Sequence, residues 1–137
     1  MMRPDLRRVD DGPLPYLLSP APADAPRPVL CFLHGYDEGP PAEIVAALTR
    51  HGPLRPDGAP DEVRDFLVMA PQLPARGDLW HRSADAVLRI VRDVHARHGG
   101  DPARTYLTGF SFGGNGVLDL ALAQPGVWAA LWAVDPT

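Results

Sequence analysis

The chain has 137 residues, 45% of them apolar and 22% charged, with a formal net charge of −4. That is one globular domain's worth of core, and an acidic chain with scattered arginines lacks the basic face that nucleic-acid binding needs. No stretch approaches the roughly 18 apolar residues of a membrane helix, and the lone Cys31 excludes an internal disulfide.

In chain order, the start (MMRPDLRRVDDGPLPYLL) is interrupted by acidic residues and prolines and has no apolar run of signal-peptide length, so a cytoplasmic protein is expected. Residues 14–18 are a candidate antiparallel strand at the sheet edge. Residues 19–28 (SPAPADAPRP) carry four prolines and predict an extended surface loop. Residues 1–28 thus read as a proline-rich edge segment of one domain covering 1–137. The unbroken apolar run at 29–33 (VLCFL) predicts a strand covered on both faces, with Cys31 as a small buried hydrophobe. Residues 41–51 predict a helix with Ile44, Val45 and Leu48 on one face, Pro41 in its first turn and Gly52 as its stop. A second buried strand, 66–70, ends at Pro71.

The clearest helix is 83–98. Ser83 stands at its cap, Val87, Leu88, Val91, Val94 and His95 form one face, and Gly99-Gly100 end it. His51, His95 and His98 close helices and read as structural. A third strand, 104–108, runs into GFSFGG and an apolar helix reaching Ala123; a fourth follows at 129–134 (AALWAV). Strands alternating with helices predict right-handed βαβ units. The class is α/β: a three-layer, doubly wound, mostly parallel sheet.

Two motifs carry chemistry. TGFSFGGNG places Ser111 between Gly109 and Gly113 on a strand-to-helix turn, the elbow that exposes a nucleophilic serine. The helix behind it points its positive end at any anion formed on a substrate. LHGYDEG ends the first buried strand, where the second donor of an oxyanion hole belongs. The expected donors are the N–H groups of Tyr36 and Phe112, with Gly35 as the fallback. His34 has two readings, an orienting residue that bonds the loop or a general base. No HExxH motif or paired Cys/His spacing calls for a metal, and no cofactor is expected.

Together FLHG, APQLPARGDLW and DPARTYLTGFSFGGNGVLDLALAQP resemble the α/β-hydrolase superfamily from about residue 29 onward. Within it they resemble the phospholipase/carboxylesterase-like and polyhydroxybutyrate-depolymerase-like esterases. The resemblance implies Ser111 as nucleophile, Tyr36 and Phe112 as oxyanion donors and a small ester as substrate. It makes Trp80 a candidate wall of the substrate pocket, or simple packing at the sheet edge, with His34 and His81 as neighbours. These enzymes supply their triad in the order Ser, then Asp or Glu, then His. Here Asp119 and Asp135 follow Ser111 and no histidine does. Asp119 falls on the elbow helix, turned from the serine, so Asp135 is the remaining candidate acid and His81 a substitute base. The family continues past the strand AALWAV, so the chain is expected to be a truncated hydrolase, inactive alone or completed by a partner. That strand's outer edge is expected to be open to pairing with a second copy. The alternative is a non-catalytic module that uses the edge for binding or dimerisation.

Overall fold

The computed structural model describes residues 6–19 and 26–137. Among these residues six strands form one sheet: β1 (Arg7–Val9), β2 (Tyr16–Ser19), β3 (Arg27–Leu33), β4 (Leu67–Pro71), β5 (Gly100–Phe110) and β6 (Ala130–Val134). Three α-helices accompany them: α1 (Ile44–Leu48), α2 (Ala84–Arg97) and α3 (Phe112–Ala123). The spatial order is β1-β2-β4-β3-β5-β6. Strands β4, β3, β5 and β6 run parallel, and β2 and β1 turn antiparallel at one side.

The period-2 alternation of strands divides the core. Leu18, Cys31, Leu33, Met69 and Leu107 face α2, α3 and Trp80. Their neighbours Leu17, Phe32, Val68 and Ala70 face α1 and Leu54 on the other side. Each fully buried aliphatic or aromatic side chain stabilises the fold by about 1.5–3 kcal/mol. Cys31 sits inside this core, and burial pushes its thiol pKa well up. The chain leaves β3 toward β4 on one side and returns to β5 on the other. This reversal opens a crevice at the carboxyl ends of β3 and β5, where ligands bind in open α/β sheets.

The expected elements are present, with shifted ends. α1 starts only after Glu43, whose carboxylate caps the N–H groups of Val45 and Ala46. Pro41, expected in that first turn, instead follows a cis peptide bond from Pro40. Ser83 holds the cap position of α2 but makes no capping bond, because it closes a 3-10 turn, Trp80–Ser83. Ile90 joins Val87, Val91 and Val94 on the buried face, while Leu88 and His95 are only half-buried. Two strands differ more. β2 is not an edge, since β1 pairs outside it; the sequence RRV is too short and polar to announce itself. β5 runs six residues longer than 104–108, its polar start carrying the Arg104–Asp101 ion pair. Of the proline-rich segment, residues 20–25 lie outside the described residues. No helix among the described residues is long and apolar enough to cross a membrane.

Candidate active site

Ser111 is the hinge between β5 and α3, with φ 57° and ψ −115°. A non-glycine residue rarely adopts this backbone, and it persists only where the surroundings impose it. They do so on three sides. The Ser111 N–H donates to the Val134 carbonyl of β6 at 2.8 Å, and its own carbonyl accepts from Gly114 N–H at 2.9 Å. A Cβ on Gly109 would overlap the Gly113 carbonyl, and one on Gly113 would overlap the carbonyls of Leu33 and His34. The two glycines of the motif therefore let α3 abut both β5 and the end of β3.

The loop after β3 is built around a buried histidine. The His34 Nε2 accepts the Leu73 N–H at 3.0 Å, so Nδ1 carries the proton and donates to the Gly35 carbonyl at 2.7 Å. With both ring nitrogens committed, His34 is an orienting residue and has no nitrogen left to act as a base. Across a trans peptide the C=O and the following N–H point in opposite directions. Drawing the Gly35 carbonyl toward the imidazole thus turns the Tyr36 N–H away from it. The expected fallback donor is lost, because Gly35 N–H is held by the Glu38 carboxylate at 2.7 Å. Tyr36 and Phe112 each open a helical turn, so neither N–H has a carbonyl one turn earlier to bond. Their rings meet edge to face at 5.6 Å, which brings the two expected donor residues together.

Burial lowers the His34 pKa to about 4, against the opposing bond to Gly35. An unfolded histidine titrates near 6.5. The folded value is the lower one, so the stabilisation is complete above pH 6.5 and fades as the pH falls toward 4. The expected loss over that window is about 3 kcal/mol. Urea unfolding across this range should show it, and His34→Gln, which keeps one acceptor and one donor, should flatten the dependence.

Other candidates fall as follows. Trp80, a candidate pocket wall, is only 1% exposed. Its indole N–H donates to the His34 carbonyl at 3.1 Å, and its ring lies flush against Gly116 of α3. It belongs to the packing beneath the loop, because two site elements close over it. His81 is exposed beside it. Asp119 is exposed on α3. Asp135 directly follows β6, with φ 47°, and is exposed. His51 tilts against Phe110 with centroids 4.8 Å apart. His95 bonds the Thr105 hydroxyl at 2.7 Å, and burial lowers its pKa. Among the described residues no histidine or carboxylate is hydrogen-bonded to the Ser111 hydroxyl, and no three metal-ligating side chains converge.

Three supporting residues were not foreseen. Glu38 holds Gly35, and its spacing three residues on resembles a capping box, the one signal that could have found it. Gln72, 3% exposed, donates to the carbonyls of Glu38 and Ala42. Asn115 pairs with both the N–H and the carbonyl of Thr137, each at 2.7 Å, and so pins the chain after β6 beside the elbow.

No protein-family model and no curated protein sequence matches the chain. Solved structures do. A thermostable esterase superposes with a TM-score of 0.76 at 25% identity, over 96% of this chain and 41% of its own. Acetyl xylan esterase from Aspergillus awamori gives 0.71 at 18% identity, over 92% and 50%. An acylaminoacyl peptidase from Pyrococcus horikoshii gives 0.60 at 16% identity, over 98% and 23%. The chain therefore spans half or less of the length of these hydrolases. Strand order, the strained serine between β5 and α3, and these superpositions agree: the chain has the α/β-hydrolase fold.

Proposed function

We propose that this segment carries the nucleophile and oxyanion hole of a serine esterase. The observation that carries the reading is the backbone of Ser111, forced to positive φ at the crevice mouth beside the Tyr36 loop. Strain of this kind costs about 1–3 kcal/mol and collects at functional sites. In the reaction, the Ser111 oxygen attacks the ester carbonyl as its proton passes to a base. The oxyanion is held by the N–H groups of Tyr36 and Phe112. The C–O bond to the alcohol then breaks, the alcohol leaves with a proton, and water releases the acid from the acyl-enzyme.

Among the described residues no base is hydrogen-bonded to the Ser111 hydroxyl. Asp135, just after the strand beside β5, is the candidate acid, and exposed His81 is the candidate base within these residues. Without a base, the hole and binding alone leave roughly 10³–10⁴-fold over water. A fluorophosphonate probe should therefore label the wild type slowly, imidazole added as an external base should accelerate the labelling, and Ser111→Ala should abolish it. Absence of labelling at any probe concentration, with and without imidazole, would sink the catalytic reading. A cytoplasmic setting is part of the proposal, supported by a single buried thiol rather than disulfides.

A further inference from the structure

β4 ends at Pro71, and the two residues that follow it both reach the loop carrying Tyr36. Gln72 is buried, and its side-chain amide faces two carbonyl groups, those of Glu38 at 2.9 Å and Ala42 at 3.0 Å. Carbonyls only accept, so the NH2 end points at both, and its two protons are committed. The main chain of Gln72 is fixed from elsewhere. Its N–H donates to the Pro15 carbonyl at 2.9 Å, one step beyond the pairing of Pro71 with Tyr16. The amide thus projects from a rigid strand end rather than from a free loop.

These bonds converge on the peptide group between Gly35 and Tyr36. Two residues hold that unit. Glu38 takes the Gly35 N–H with its carboxylate at 2.7 Å and donates its own N–H to the Gly35 carbonyl at 3.3 Å. His34 donates from Nδ1 to the same carbonyl. Each holder is in turn held by the end of β4. Gln72 grips the Glu38 carbonyl, and the Leu73 N–H grips His34 Nε2 at 3.0 Å. The Leu73 contact is main-chain and survives side-chain replacement; the Gln72 contact does not. Glu38 also closes the short 3-10 turn that Tyr36 opens. A shift of its carbonyl therefore moves the turn that has the Tyr36 N–H at its other end. The Phe112 N–H is set separately, by the bonds of the elbow to Val134 and Gly114.

We propose, resting on the esterase reading above, that Gln72 is a positioning residue of the oxyanion hole. Through the Glu38 carbonyl it sets the direction of the Tyr36 N–H and leaves that of Phe112 alone. It touches no reacting atom.

The test is Gln72→Met, which keeps the side chain's length and removes both donors. With imidazole present, fluorophosphonate labelling of Ser111 should slow by about 10²-fold, the cost of misplacing a group by about 1 Å. Amide NMR signals of Tyr36 and Phe112 locate the loss. In the labelled wild type both should move downfield, because both N–H groups donate to the phosphoryl oxygen. In labelled Gln72→Met only the Phe112 shift should remain. Leu54→Ala opens a cavity in the other core layer, so it lowers stability but should label at the wild-type rate. Gln72→Asn keeps an amide too short to reach both carbonyls and should slow labelling as well, which preserves the test where the methionine variant does not fold. Variants that label as fast as the wild type, or loss of both shifts together, overturn the proposal. A wild type that is never labelled overturns the esterase reading itself, and this proposal with it.

Discussion

Gly113→Ala should leave almost no folded protein. The added methyl would overlap the carbonyl groups of Leu33 and His34, which are backbone atoms at the end of β3. Neither side can yield. β3 is hydrogen-bonded to β4 and β5 on its two flanks, and α3 is tied to β6 through Ser111 and to Thr137 through Asn115. A clash with backbone on both sides falls among the exceptional substitutions that cost more than about 4–5 kcal/mol, a large part of the whole stability of a domain this size. Gly126→Ala is the control. Its φ of 93° disfavours alanine, but nothing lies within 4 Å of the added carbon. It should lose only about 1 kcal/mol of backbone strain. Soluble yield and thermal melting decide the matter: a Gly113→Ala protein that melts close to wild type would mean that the elbow does not abut β3 as described.

Trp80→Ala should cost about 3–5 kcal/mol for the cavity alone. A further 1–3 kcal/mol is expected because the His34 carbonyl loses its donor while buried. Trp80→Phe should fall between, since it keeps much of the ring volume and loses the N–H. Denaturant midpoints measure both. A loss below about 1 kcal/mol in the alanine variant would return Trp80 to the role of an exposed pocket wall, where truncation changes ligand binding and leaves stability nearly intact. The prediction also reaches the site, because the indole ties Gly116 of the elbow helix to the loop that carries Tyr36.

What the sequence made legible is what short-range chemistry encodes. The run VLCFL, the stop at Gly99 and the glycines flanking Ser111 each state a local requirement, and the structure honours them. The residues that tune the site answer instead to partners far away in the chain. His34 is bonded 39 positions on, at Leu73, and Gln72 reaches back 34 positions to Glu38. No periodicity announces such pairs. Pro41 misled for the same reason: as a first-turn residue it fits local rules, but the helix begins where Glu43 can cap it. The N-terminal strand β1 was invisible because its three residues earn their strand geometry from pairing with β2 rather than from their own pattern.

Glu38 also limits the proposed hole. By occupying Gly35 N–H it leaves the proposed hole with two main-chain donors and no spare. Main-chain groups outlast side-chain replacement, so the proposed donors depend on positions 36 and 112 only through the packing of their rings on each other, on Gly77 and on the core. On the proposed function those two rings would form the rim above the donors. Reshaping that rim would then change which esters enter the proposed site while the main-chain donors beneath it stay where the backbone holds them.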